Sequence, residues 1–295
     1  MMANLLNILM SGVFHASTLF WVAAGLQVVF GVQKVFNLAC GSFYALGAYV
    51  GITAVKYCVG GGFPKTLFIV PLILAGFLLA LIIGPIVERG LIKFVYDRDE
   101  AFQLLLTFAI VMMIEDIIKI IWGMSPQTTG GIDLIYGQLN LFGATLPVYN
   151  LTVIFSSLII AALIGYILIN TKFGRIIRAT ADKREMSEAI GINIRSVYVK
   201  VFTLGTGLGT LGGALVIPTG AAAPEMGVEL IVLAFAVVVI GGLGSMKGAF
   251  IGALIVGILK SIAISTYPEL EMLTIYLIVI AVLMIKPEGL FGGKV

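Results

Sequence analysis

The groups that could do chemistry in this chain are few, and they form three sets. The first is ionisable. Glu115, Asp116, Lys119 and Lys260 stand inside or at the ends of long apolar segments. Carboxylates and amines at membrane depth relay protons in ion-coupled carriers. Glu115 and Lys119, however, are four residues apart, the spacing of an ordinary helical ion pair. Lys260 lies close enough to Pro268 to extend its amine toward water. An interfacial, structural role is the simpler account of this set. The second set is glycine-rich. GTGLGTLGG at 205–213 resembles a phosphate loop in texture but lacks the Gly-Lys-Ser/Thr ending that would make it one. The third set is the polar stretch 172–200, which holds Lys172, Arg175, Arg178, Lys183, Arg184, Arg195 and Lys200, seven of the chain's 18 basic residues. No metalloprotease, nucleophile-elbow or paired metal-ligand motif is present. The single histidine is His15, and Cys40 and Cys58 have neither ligand nor disulfide-framework spacing.

The elements that must position these groups are set by composition. The chain has 295 residues, 60% hydrophobic and 11% charged, where a soluble domain carries about 25% charged residues. Its natural solvent is lipid. A hydrocarbon core about 30 Å thick takes about 20 residues of helix, so the length allows about eight to nine membrane segments. The apolar runs fall at 5–30, 35–59, 66–87, 102–122, 148–169, 201–217, 230–243, 249–265 and 270–285. This is an all-α membrane protein, a polytopic bundle forming one domain over 1–295. The first run has no basic residues before it and continues beyond signal-peptide length, so it reads as a first helix. The start of the second run, FNLACGSFYALGAYVG, is rich in small and polar residues and is expected to be irregular.

Charge orients the bundle. The loop at 88–100 has Arg89, Lys93 and Arg98 beside Asp97 and Asp99. The stretch 172–200 has its seven cations, and the tail has Lys286 and Lys294. The alternate loops at 123–147, 218–229 and 266–272 have acids and no Lys or Arg. Positive charge stays in the cytoplasm, which places the C-terminus inside and the N-terminus outside. Lys56 and Lys65 are exceptions. The net charge of +3 signals orientation and not nucleic-acid binding.

Small residues at four-residue spacing mark helix-packing faces: Gly205, Gly209 and Gly213 in one run, and Gly244, Gly248 and Gly252 in another. Such a face either packs statically or slides during gating. In 172–200, Asp182 with Glu185 fits a capping box and Gly191 fits the position after a helix end, which brackets a short helix over 183–190. Met186, Ala189 and Ile190 share one face, and Arg184 and Glu188 can pair on another. The helix either lies passively under the membrane or passes motion to a cytosolic partner.

At these residues a resemblance enters. FGRIIRATADKREMSEAIGINIRSV, VFNLACGSFYALGAYVG, VVVIGGLGSMKGAFIGALIVGIL and the closing KPEGLFG together resemble, in order along nearly the whole chain, the Liv-type branched-chain amino acid permeases, with most likeness to their H-type subunit. These are membrane components of ABC importers. The resemblance implies a second permease as heterodimer partner, two cytoplasmic ATPase subunits and an extracytoplasmic binding protein, in a prokaryotic inner membrane. It implies that ATP and Mg bind the partner ATPases, that this chain binds no cofactor, and that it is not itself an enzyme. It also implies that 172–200 is the coupling loop and 183–190 the coupling helix, with Asp182, Lys183, Arg184, Glu185, Met186, Glu188, Ala189 and Gly191 facing the ATPase. Glu185 and Gly191 match the family's EAA-type loop motif, while Met186 and Ser187 stand where alanines are usual. Asn37, Ser42 and Tyr44 are the candidates for lining a substrate path between two permeases. Asn37 has a second reading, as a group that satisfies broken backbone. The competing functions are a related importer of urea or short amides, and a secondary transporter or channel that works without ATP.

Overall fold

Long apolar runs separated by polar loops become long helices, because a backbone in lipid must satisfy its own hydrogen bonds. The computed structural model describes residues 2–96, 98–141 and 144–292. Asp97 and Lys294, counted above among the loop and tail charges, lie outside them. Among the described residues nine long helices form. They are α1 (Met2–Gln33), α2 (Ala39–Gly60), α3 (Ile69–Gly90), α4 (Glu100–Trp122), α5 (Val148–Asn170), α8 (Ile194–Val216), α9 (Met226–Gly241), α10 (Met246–Thr266) and α11 (Glu271–Ile285). Two short helices, α6 (Lys172–Asp182) and α7 (Arg184–Ala189), occupy the polar stretch between α5 and α8.

Each of the nine apolar runs is a helix, and they differ in length and charge. Six, namely α1, α2, α3, α5, α8 and α10, are long and apolar enough to span a membrane. The larger count of eight to nine rests on the other three, which are shorter or carry charge. At about 1.5 Å per residue, the 16 residues of α9 and the 15 of α11 do not cover a core about 30 Å thick. Helix α4 is 23 residues long but carries Glu115, Asp116 and Lys119.

The core sits on α8, which packs against α1, α2 and α3, while α1 also runs along α10 and α2 along α9. The reason is absent side chains. The carbonyl oxygen of Gly25 in α1 lies 2.9 Å from where a Cβ on Gly205 would stand, and that of Cys40 in α2 lies 3.0 Å from the same point on Gly209. Gly213 meets the Tyr44 carbonyl closely enough that no Cβ fits. Side chains then tie helices to one another. Thr210 Oγ1 donates to the Gly76 carbonyl at 2.8 Å and Tyr149 Oη to the Leu215 carbonyl at 2.7 Å.

The loop at 123–147 is more structured than its Gly, Pro and Thr content suggests. Strand β1 (Gln127–Thr128) pairs antiparallel with β4 (Ala221–Ala222), and β2 (Gln138–Leu141) with β3 (Ala144–Pro147). The β1–β4 pair follows from the long-range meeting of two loops, which no local periodicity announces. Lys56, one of the charge-map exceptions, donates to Gln127 Oε1 at 3.1 Å.

Candidate functional site

The polar stretch folds back under the bundle in two short helices. Thr171 caps α6, its Oγ1 accepting from the Gly174 amide at 3.0 Å. Gly174 lies against the carbonyls of Ile167 and Leu168 with no space for a Cβ, so glycine permits the sharp turn out of α5. Gly174, Ile177 and Thr180 face inward and the charged residues face out.

Helix α7 follows after one residue, and here the expected cap is wrong. Asp182 is the last residue of α6, and its helical backbone denies it the N-cap position of α7. Lys183 occupies that position in extended conformation and supplies no side-chain cap. The helix therefore runs Arg184–Ala189 rather than over 183–190. The far end behaves as expected. Gly191 has φ +87°, its amide donates to the Glu188 carbonyl at 3.0 Å, and the Ile192 amide donates to the Ser187 carbonyl at 3.1 Å. This pair of bonds is the Schellman closure. Asn193 then caps α8, accepting from the Ser196 amide at 3.1 Å.

A helix of six residues has almost no stability of its own; its surroundings hold it. Ser187 is buried against the bundle. The Arg184 guanidinium lies 5.8 Å from the centroid of the Tyr198 ring. Tyr198 meets Tyr96 edge-on at 4.8 Å, and Tyr96 Oη donates to Glu88 Oε1 at 2.9 Å. Burial first, and the Glu88 charge second, push the Tyr96 phenol far above its ordinary pKa, so it remains a donor. Gln33 of α1 donates to the Tyr198 carbonyl at 2.8 Å. This chain of contacts connects α7 to α1, α3 and α8. The sequence reading missed Tyr96, Tyr198, Glu88 and Gln33. Its one visible signal was Glu88, a carboxylate at the end of an apolar helix.

The outer face of α7 is the unusual surface. Glu185, Glu188 and Ala189 are exposed, and Met186 and Ile190 are 60% and 72% exposed. Two large apolar side chains flanked by carboxylates, on a capped and braced helix at the loop end of a bundle, form a surface suited to a groove in another protein.

Asn37, Ser42 and Tyr44 are placed elsewhere. All three are buried where α2 begins, and none lines the three cavities described below. Residues 34–38 are not helical. Lys34 has φ +56°, and the Phe36 carbonyl accepts from Thr107 Oγ1 of α4 at 3.1 Å. It is thus Thr107, and not Asn37, that satisfies the broken backbone there. Asn37 Nδ2 reaches Cys40 Sγ at 3.5 Å, and its Oδ1 is buried without a partner. Of the second glycine set, Gly248 and Gly252 press against the backbone of α9, whereas Gly244, with φ +83°, forms the turn before α10, where an added Cβ would meet nothing within 4 Å. The Gln27 side chain closes that turn. It donates to the carbonyls of Gly242 at 2.7 Å and Ser245 at 3.0 Å, and accepts from the Gly244 amide at 2.9 Å. Among the intramembrane charges, Lys119 pairs with Glu115 at 2.5 Å and Lys260 with Glu271 at 2.8 Å.

Residues 8–283 match the protein family described as branched-chain amino acid transport system, permease component. Among characterised relatives, the chain is 26% identical to the high-affinity branched-chain amino acid transport permease LivH of Salmonella typhimurium, over 96% of this chain and 94% of that protein. It is 27% identical to the probable branched-chain amino acid transport permease LivH of Methanocaldococcus jannaschii, over 97% and 92%. It is 29% identical to the ribose import permease RbsC of Haemophilus influenzae, over 88% and 76%.

Proposed function

The chain belongs to the branched-chain amino acid transport permease family, and we propose that it is the membrane-spanning subunit of an ATP-driven importer that admits branched-chain amino acids to the cytoplasm. The observation that carries the coupling half of this reading is α7, a helix too short to stand alone, braced from behind and presenting Met186 and Ile190 outward. In this reading α7 seats in a groove of a partner ATPase, which binds ATP and Mg. Closure of two such ATPases pushes α7 inward, and the Tyr198–Tyr96–Glu88 contacts carry the movement to α8 and α3. The chain is a transport subunit and not an enzyme.

The remaining parts of the assembly are a second, related permease and an external binding protein. The loop end of the bundle, with α6, α7 and the start of α2, faces the cytoplasm, and the N-terminus faces outward. A branched-chain amino acid is a zwitterion with an apolar side chain, so a weakly polar path between two permeases suits it. Asn37, Ser42 and Tyr44 reach that path when the irregular segment 34–38 rearranges.

The deciding experiment is uptake of labelled leucine by cells carrying the whole system, under ATP depletion and, separately, under collapse of ion gradients. The importer reading predicts loss of uptake in the first condition only. Loss in the second condition alone would favour a secondary transporter. The ribose permease relative gives a second cargo reading some weight. Competition by excess ribose, urea or valine separates the cargoes, and only valine is expected to compete.

A further inference from the structure

Three cavities follow one another along α1, all bordered by α5 and two of them also by α10. The largest, about 940 Å³, opens between α1, α5, α6 and α10. The next, about 190 Å³, shares Phe20 and Phe250 with it. The third, about 170 Å³, shares Ile154 with the second. The seam is therefore a crevice along most of α1. Glycine usage agrees. Around α8 the glycines are pressed by neighbouring helices, but at Gly165, near the C-terminal end of α5, nothing lies within 4 Å of a Cβ position. Gly31, opposite, would meet Gly244 only at ordinary contact, 3.8 Å. These glycines leave room.

The walls and the mouth of the large cavity differ in chemistry. Phe20, Val28, Leu168 and Ile251 make the interior apolar, while Lys34, Arg178 and Lys247 stand at the loop end, with Asp182 the only carboxylate among the described residues that line it. None of these cations belongs to the two ion pairs described above, and Arg178 reaches the Ile169 carbonyl only at 3.5 Å. The first amides of α10, a helix of 21 residues capped by Ser245, add positive potential at the same place. Along α1, Phe20 and Gln33, the residue before Lys34, are separated by about 20 Å at 1.5 Å per residue. That distance is more than half of a hydrocarbon core about 30 Å thick.

We propose that this cavity holds one acidic phospholipid of the adjoining leaflet. Its phosphate sits among Lys34, Arg178 and Lys247, and an acyl chain runs down the seam toward Phe20 and Phe250. The occupant is argued from complementarity: an excess of cations at the membrane boundary above an apolar channel fits an amphiphile with an anionic head. A free phosphate would leave the channel empty, and a zwitterionic lipid would leave the cationic excess unmatched. The lipid would touch Ile177 and Arg178 of α6 and so fill the space behind the polar stretch.

The test is lipid analysis of the full chain, purified in detergent with whatever chains accompany it and washed extensively. Phosphatidylglycerol and phosphatidylcholine are then offered in competition. The expected result is about one tightly retained acidic phospholipid per chain, preferred over phosphatidylcholine by about tenfold or more. Joint substitution Lys34→Ala, Arg178→Ala and Lys247→Ala should abolish the preference. Gly165→Phe, which fills the cavity and leaves every charge in place, should abolish retention without changing helix content or elution volume. Equal retention of the two lipids by the wild-type protein would overturn the proposal whatever the variants do. Displacement of the lipid by inorganic phosphate alone, or cross-linking of Gly165→Cys (in a Cys58→Ser background) to another polypeptide in that space, would also overturn it.

Discussion

Helices α5 and α8 flank the same polar stretch and have the same length, 23 residues, yet they meet opposite fates. The most apolar window of α8 is 78% buried in the protein and that of α5 only 17%. The less buried helix is the more apolar one, the reverse of the rule in water. In lipid, hydrophobicity gives no reason to leave the bilayer for a protein interior; close backbone approach does. Helix α8 carries GTGLGTLGG and draws α1, α2 and α3 onto it. Helix α5 carries Gly165, which no other group approaches, and turns Phe155, Ile159 and Tyr166 outward.

The comparison is most easily broken at Gly213. Replacing it by leucine forces a side chain into the Tyr44 carbonyl. An overpacked core typically costs about 1–3 kcal/mol, and a rigid backbone neighbour puts this case at the upper end. A clear fall in detergent melting temperature is expected, and an unchanged one would mean that α8 is not the organising helix. Next in size is Tyr96→Phe, which removes the donor to the buried Glu88 carboxylate. The expected loss is about 1–3 kcal/mol of stability, together with weaker coupling of ATP use to uptake. The two effects are read by thermal melting and by the ratio of ATP hydrolysed to leucine taken up. Glu185→Lys lies on the exposed face of α7, so the bundle should remain intact, with a melting point close to wild type, while uptake is lost. Wild-type uptake in that variant would remove α7 from the mechanism. Asn37→Leu should slow transport but leave assembly unchanged; unaltered uptake would give Asn37 a packing role alone. The smallest effect belongs to Gly165→Ala. A helical glycine with open space around it gains up to about 1 kcal/mol on replacement by alanine, so this variant should melt no lower than wild type. A drop would mean that α5 is packed after all.

Much of this was legible in the sequence, and the rest was hidden for identifiable reasons. The apolar runs gave all nine long helices, because a membrane-length helix is written in consecutive residues. Gly191 announced the end of α7, because a left-handed residue after a helix is a local requirement. Asp182 misled for an equally local reason. A capping box reads the same whether or not the preceding residues are already helical, and here α6 runs through Asp182. The brace behind α7 was invisible, since Tyr96 and Tyr198 meet only when the α3–α4 connection and α8 are brought together. The pairing of β1 with β4 is hidden in the same way, by residues almost a hundred positions apart. Asn37, Ser42 and Tyr44 were selected as polar groups in an irregular segment. The irregularity is confined to 34–38, and Ser42 and Tyr44 stand in the regular helix α2; it is Thr107, from another helix, that accompanies the broken backbone there.

The central claim is that this chain moves its cargo by lending α7 to a separate ATPase. The most direct test is purification of the tagged chain from native membranes in mild detergent, with the co-purifying chains identified, for the wild type and for Met186→Arg. The account predicts a second permease and P-loop ATPases with the wild type. It predicts the same permease without the ATPases for Met186→Arg, a change at a side chain that is 60% exposed. Recovery of the wild-type chain without any ATPase, in a preparation that still transports after reconstitution, would contradict it.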